Sequence, residues 1–426
     1  MRVRMVTDPT WGDNGKGKVT DYLLNGPWKG EIAVNARWNG GSNAGHRVMR
    51  CGKKFDLHMI PSSILTPGVI SLIAPNCVID LQKLVDEEIP TLLNLGGDIE
   101  RLRIAKEAFL IMPWHLEQER LETKVSGGLG TTMKGIGPAY ADITARYGLM
   151  VGDLLDHKSL EDKLRNILTV KQLITGIHGM RLSPAKLADQ YAEYGEKLRP
   201  LIVELDPFLY NTLGKSRGTA SVLHLEGAQG AALDIHAPNY PFNTSSGTTY
   251  YDASKIFRLG NGDLEYSIGV TKPYCTSVGR RDFPTKMNEA DAQRIRKAGD
   301  EFGTTTGRPR DCGWLDLPML RHGARMMAVT HWFITKLDVL DNEPEIFVCT
   351  HYKRNGEVLA LPPRHGLHDC EPVYVSFRGW LRSTREVRGR ADLPPRAQSL
   401  LGFIEEQTDK RIIGISVGPE PDQTIC

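Results

Sequence analysis

The sequence predicts an α/β fold with a large central, mostly parallel β-sheet flanked by helices. Two observations predict it. Short apolar runs rich in β-branched residues recur with few polar alternations, as in strands buried on both faces. Stretches of helical periodicity lie between them, and strands alternating with helices argue for a parallel sheet. The strand candidates are "RVRMV", "EIAVNA", "VISLIA", "SVLHL", "YSIGVT", "HWFITKLDVL", "EIFVCT" and "RIIGISV". The helical stretches include "LQKLVDEEIPTLLNL", which Pro90 is expected to kink or split. Others are "EADAQRIRKAGDEF" and "AQSLLGFIEEQTDK". Two more, "LEDKLRNILTVKQLI" and "AKLADQYAEYGEKLRPLIVEL", follow each other with no strand between, so a helical insertion is expected at about 155–205. No linker or repeat divides the chain, which reads as a single domain over 1–426.

Composition narrows the function classes. The 426 residues are 40% hydrophobic and 24% charged, ordinary for a globular protein. Lys plus Arg (53) nearly balances Asp plus Glu (51), so no whole-chain charge points to nucleic acid or an anionic membrane. The seven cysteines are dispersed and none forms C-x-x-C, which suits a reducing compartment. With no signal-peptide pattern and no long apolar run, a cytoplasmic protein is expected.

The glycines cluster next to polar residues. "WGDNGKGKV" (11–19) fits G-x-x-x-x-G-K from Gly12 to Lys18, between a strand and a helix. Backbone N–H groups at such a helix start favour a phosphate, with Lys16 or Lys18 adding charge. The hydroxyl residue that holds Mg²⁺ in a P-loop is missing, since position 19 is valine. Asp13 is a candidate replacement ligand, because Mg²⁺ takes oxygens. It is equally a candidate base or a helix cap.

In "NARWNGGSNAGHRV" (35–48), His46 beside Asn43 in a glycine-dense loop is placed to donate to a developing oxyanion. In "GGLGTTMKGIGPAYADITARYG" (127–148), Thr131, Thr132 and Lys134 resemble a phosphate clamp. Arg146 there suits a phosphate bidentately or a surface salt bridge. In "LEGAQGAALDIHAPNYPFNTSSGTT" (225–249), Gln229 is placed to read a purine edge and Thr244 to bind phosphate. In "EFGTTTGRPRDCGWLDL" (301–317), three threonines with Arg308 and Arg310 make a carboxylate site. "TKLDVLD" (335–341) resembles the base-reading N/T-K-x-D of GTP-binding proteins and, with the 12–18 loop, points to GTP.

In order and spacing these segments, together with "FPT", "GWLD" and "SVGP", resemble adenylosuccinate synthetase. The resemblance covers nearly the whole chain. It implies a fold related to P-loop GTPases, usually a homodimer, and a reaction of GTP, IMP and L-aspartate giving adenylosuccinate, GDP and phosphate. It implies catalytic roles for Asp13, Lys16, His46 and Gln229, and metal binding by Asp13 and the Gly45 carbonyl, with Mg²⁺ as cofactor. The purine nucleotide is expected at Asn43, Thr132, Gln229, Thr244 and Val278, with Arg146 lent by the partner subunit. Aspartate is expected at Thr305, Thr306, Arg308 and Arg310. GTP is expected at Gly12, Gly15, Lys16, Gly17, Lys336, Asp338, Ser416 and Gly418. The partners implied are these small molecules and a second copy of the chain, with no nucleic acid and no membrane.

Several motif positions depart from the family pattern. Asn14 stands for a glutamate, and Asp8-Pro9-Thr10 for G-T-Q. Arg47 follows His46 in place of threonine, adding a charge expected beside the metal site. Ser277 replaces an arginine, and Lys286 follows "FPT" in place of glutamate. These changes admit two alternatives: a diverged paralogue acting on another 6-oxopurine nucleotide such as (d)GMP, and a non-catalytic GTP-binding protein of the same fold. An ordinary GTPase switch is disfavoured by Val19.

Overall fold

In the computed structural model of the chain, the described residues are 1–50, 52–126, 130–175, 182–214, 221–260, 262–303 and 307–426. They form two compact units, each assembled from separated segments. One comprises Met1, Trp28–Gly45 and Leu57–Leu225; the other comprises Arg2–Pro27, His46–Asp56 and Glu226–Cys426.

In the first unit the strands Ile202–Val203, Leu102–Ala105, Ile70–Ile73 and Ile32–Arg37 lie side by side and parallel. Every residue of Ile32–Arg37 is buried, as the unbroken apolar run predicts. The helices Pro113–Ser126 and Ile136–Ala145 pack together. Helices His157–Thr175 and Pro184–Leu198 also pack on each other, where the helical insertion was expected. Proline does not split the helical run at 81–95, which stays wound from Leu81 to Asn94. Lys83–Glu88 is wound as a π-helix that passes directly into the α-helix Ile89–Asn94, and the wider turns lie just before Pro90, which has no N–H to donate.

In the second unit the strands Arg2–Thr7, Leu264–Thr271, His331–Ile334 and Ile412–Ser416 are parallel, with Thr424–Ile425 antiparallel at the edge. A second sheet was not anticipated. Tyr274–Ser277 pairs antiparallel with Asp311–Asp316, which runs parallel to Glu345–Arg354, and that long strand carries Glu357–Leu359 and Glu371–Arg378 as antiparallel neighbours. The helix Leu317–Met326 is started by Asp316, whose carboxylate accepts from the Met319 N–H, and Glu289–Gly299 by Asn288. The apolar core of this unit gathers Trp332, Leu315, Leu320, Ile346 and Leu400.

Candidate active site

The glycine-rich loop leaves the buried strand Arg2–Thr7 and enters the helix Lys16–Asn25. Gly15 precedes that helix at φ 87°, and no side chain caps it. Asp13 is therefore not the helix cap. It sits in the left-handed region at φ 58°, unfavourable for a residue with a side chain. Its carboxylate is 43% exposed, with Oδ2 3.3 Å from Arg310 Nε.

The loop is braced from below by Asp8, which is fully buried. Asp8 Oδ1 accepts from the N–H of Thr10 (3.1 Å) and Gly12 (3.2 Å) and from Asn14 Nδ2 (2.9 Å). Its Oδ2 accepts from the Asn14 N–H at 3.3 Å and Lys16 Nζ at 3.2 Å. Lys16 also donates to the Gln229 carbonyl at 2.8 Å, so its ammonium is turned inward, between Asp8 and the 227–230 loop. That loop presses closely: a Cβ on Gly230 would lie 2.2 Å from the Thr10 carbonyl oxygen, and Gln229 itself is held at φ 55°.

His46 begins the strand His46–Arg50 and is buried. Its Nδ1 faces the carboxylate of the fully buried Glu226. With Glu226 ionised, Nδ1 carries the proton toward it, and the tautomer and ring direction are set. Gly17 lets the ring approach, since a Cβ there would lie 3.1 Å from His46 Cβ. Glu226 was not foreseen, although it stands in the quoted "LEGAQG" at the end of a buried strand. Arg47 follows on the same strand. Successive residues of a strand face opposite ways, and where His46 is buried Arg47 is exposed. Arg47 Nε bonds Asp56 Oδ1 at 2.7 Å on the neighbouring hairpin strand, which partners its charge there.

The base-reading motif lies in the same unit. Lys336, at φ 55°, donates to the Gly299 carbonyl (2.6 Å) and to Glu301 Oε1 (2.9 Å). Asp338 is almost buried, and burial raises its carboxyl above the usual range. Its Oδ2 lies 3.3 Å from Arg385 Nε. Arg385 is delivered by Asp341, which accepts from Trp380 Nε1 at 2.8 Å and from Thr384 N and Oγ1 at 2.8 and 2.9 Å. The surrounding segment 378–396, rich in arginine, is braced by further pairs: Arg390 with Glu405 at 2.6 Å and Arg388 with Asp422 at 3.2 Å. Lys18 links the loop to the C-terminal motif, donating to Ser416 Oγ at 2.6 Å and to the Gly418 carbonyl. Burial pushes the Lys18 ammonium down to about 8, against the pull of Asp338, Glu420 and Asp422.

The remaining expected residues divide between the units. Thr244, Val278, Arg308 and Arg310 belong to the second, and Thr244 N bonds the Leu233 carbonyl at 2.8 Å. Asn43, Gly45, Thr132 and Arg146 belong to the first. Asn43 Oδ1 accepts from Gly41 N at 3.1 Å, which folds its loop back on itself. Arg146 ends the helix Ile136–Ala145 at φ 68°, exposed, with no ion-pair partner among the described residues. The surface salt bridge that would have explained it is absent there. Lys134 lies against Lys83, which lowers its affinity for a proton. Thr305 and Thr306 lie outside the described residues. Ser277 is buried with an unpartnered hydroxyl, and Lys286 pairs with Asp311 at 2.9 Å on the surface.

Comparison with known proteins accounts for this set of motifs. The family profile of adenylosuccinate synthetase matches residues 5–425. The chain is 38% identical to the adenylosuccinate synthetase of Thermoanaerobacter sp. (strain X514), over 100% of this chain and 99% of that one. It is 39% identical to that of Clostridium novyi (strain NT), with the same coverage. The fully ligated adenylosuccinate synthetase of Plasmodium falciparum superposes with a TM-score of 0.90 at 32% identity, covering 100% and 99% of the two chains. The succinoaminodeoxyadenylate synthetase of cyanophage S-2L, at 16% identity and TM-score 0.61, covers 99% of this chain and 94% of its own, and shares the fold. By sequence over its full length and by fold, this chain belongs to the adenylosuccinate synthetase family, GTP-dependent ligases that form a carbon–nitrogen bond.

Proposed function

We infer that the chain joins L-aspartate to C6 of IMP at the expense of GTP, giving adenylosuccinate, GDP and phosphate. The observation that carries the reading is Asp13: a half-exposed carboxylate on a phosphate-type loop, released from capping and flanked by Arg310. Such a group is suited to take the N1 proton of a 6-oxopurine. The charge then gathers on O6, which attacks the γ-phosphorus of GTP, and GDP leaves. The aspartate amine adds at C6 and loses a proton, the C6–O6 bond breaks, and phosphate departs carrying O6 and the electron pair. His46, oriented by Glu226, presents Nε2 to the developing charge on O6 or the phosphoryl group. Arg308 and Arg310, with Thr305 and Thr306, suit the aspartate carboxylates. Asn43, Thr132, Gln229, Thr244 and Val278 take the IMP, and Lys336, Asp338, Ser416 and Gly418 the guanine of GTP.

The donor set fits Mg²⁺. Asp13 offers exposed carboxylate oxygen and Gly45 a backbone carbonyl, and no cluster of three His, Cys, Asp or Glu side chains exists among the described residues. A hard ion that keeps phosphate and water ligands needs no more from the protein. When bound, Mg²⁺ neutralises phosphate charge. The exposed Arg146 with no ion pair supports a homodimer in which it reaches the partner's nucleotide. The match over 5–425 supports reading both units as one catalytic domain. A cytoplasmic location agrees with six free described cysteines, and no helix of the described residues is long and apolar enough to cross a membrane.

The test is product analysis by mass spectrometry. The protein is incubated with GTP, Mg²⁺ and L-aspartate, and separately with IMP, dIMP, GMP, dGMP and XMP. Succinylated product from IMP is expected. Product chiefly from a guanine nucleotide would replace IMP as the acceptor, and GTP binding without any product would make the chain a non-catalytic binder.

A further inference from the structure

Glu301 is fully buried, and no expectation from the sequence used it. The helix Glu289–Gly299 ends at Asp300 in the left-handed region, and the Glu301 N–H closes on the Arg296 carbonyl at 3.0 Å, which turns the next side chain inward. There its two oxygens are divided between two groups of donors. Oε1 accepts from Lys336 Nζ at 2.9 Å, Lys272 Nζ at 3.1 Å and Tyr274 OH at 2.7 Å. Oε2 accepts from Arg310 Nη1 at 2.6 Å. The Arg310 N–H also bonds the Glu301 carbonyl at 3.0 Å, and Arg310 Nε continues to Asp13 Oδ2 at 3.3 Å. Three cations surround this one carboxylate, and they hold it ionised, far below the usual glutamate range despite burial.

We propose that Glu301 is a positioning residue that couples donor-nucleotide binding to the amino-acid site, by holding Lys336 through one oxygen and Arg310 through the other. The proposal rests on the reading above, in which Lys336 serves the guanine and Arg310 the aspartate. Lys336 has its ammonium fixed to Glu301 and the Gly299 carbonyl, so its methylene stem is what it presents to a base. A guanine covering that stem removes water from the ion pair and strengthens it. The carboxylate is then more firmly placed, and with it the guanidinium fork that must meet an aspartate carboxylate and flank Asp13. Lys272, just after the strand Leu264–Thr271, and Tyr274, on the second sheet, fix the same oxygen, so the carboxylate cannot follow one partner and abandon the other. Linkage requires the reverse effect too: aspartate tightens the donor nucleotide by the same factor.

The test uses GDP as probe, so that it does not need turnover. Its dissociation constant is measured by titration calorimetry on the full chain with IMP and Mg²⁺, without and with saturating L-aspartate. The native protein is expected to bind GDP about fivefold or more tightly with aspartate present, the lower end of usual coupling. Glu301→Gln, which keeps the shape and removes the charge, is expected to bring the ratio close to one. If Glu301→Gln fails to fold by circular dichroism, Glu301→Asp carries the same test, because a shorter carboxylate reaches Lys336 or Arg310 but not both. A ratio near one in the native protein, or a full ratio in the variant, overturns the coupling. Coupling with no succinylated product would instead overturn the catalytic reading, so the two failures are distinct.

Discussion

Asn14 donates from Nδ2 to Asp8 Oδ1 at 2.9 Å, beneath the glycine-rich loop. The family places an acid at position 14, and this chain places one at position 8. The loop thus keeps a carboxylate, moved to the end of the first strand, where it satisfies three backbone N–H groups and the Lys16 ammonium. Asp8→Ala leaves Lys16 buried without its counter-charge and should cost about 3–5 kcal/mol by urea unfolding. Asn14→Glu sets two carboxylates against each other. Combined with Asp8→Asn it should recover at least about 1 kcal/mol over the sum of the singles. Additive single effects would show that the two positions do not share one charge.

The pairing of His46 with Glu226 makes a second expectation. A glutamine at 226 can donate to Nδ1 as well as accept, so it no longer enforces the tautomer with Nε2–H. Glu226→Gln should lower kcat by about 10²–10³-fold, and His46→Ala by about 10²–10⁴-fold, the range for one positioned proton or hydrogen-bond donor. The double variant should be no worse than His46→Ala, because the glutamate acts through the ring. Multiplying losses in steady-state kinetics would refute that.

What the sequence revealed and what it hid follow one physical divide. Motifs whose chemistry needs local spacing, such as "GDNGKGK" and "TKLD", were legible and lie where strands end. Buried carboxylates with distant partners were not: Glu226 matters through His46 and Glu301 through Lys336, whereas Asp8, whose partners Thr10 to Lys16 are local, was read only as a departure from the motif. The pairing of Arg47 with Asp56 was hidden because a loop was assumed where a strand alternates. The second sheet was missed for a related reason. Glu371–Arg378 is largely half-exposed, mixes polar with apolar residues and contains Pro372, so it lacks the continuous apolar run that marks the buried parallel strands.

Arg385 occupies the carboxylate expected to read guanine N1 and N2. It is 57% exposed, and its 3.3 Å contact with Asp338 is of the weak, solvent-screened kind. GTP must displace it. Arg385→Ala should therefore lower KM for GTP by up to about fivefold, the equivalent of the 0.2–1 kcal/mol typical of exposed pairs, with kcat unchanged. A raised KM would mean that Arg385 contacts the nucleotide instead of competing with it.

Lys18 sets a pH limit on donor binding. Its ammonium is pushed down to about 8 by burial, beside Ser416 and Gly418, the positions expected at the guanine. The sign is fixed by which state holds the proton. Unfolded, Lys18 titrates near 10.5; folded, near 8, so between these values unfolding takes up a proton. Stability gains a contribution as pH rises through that window, and has lost it below about 8. Function runs the other way. Above about pH 8 the free protein loses the cation that ties Ser416 and Gly418 to the phosphate loop. The ratio kcat/KM for GTP, which reports groups of the free enzyme, should fall with an apparent pKa of about 8. In Lys18→Met that alkaline limb should vanish, at a uniformly lower kcat/KM. An unchanged limb in the variant would assign the titration to another group.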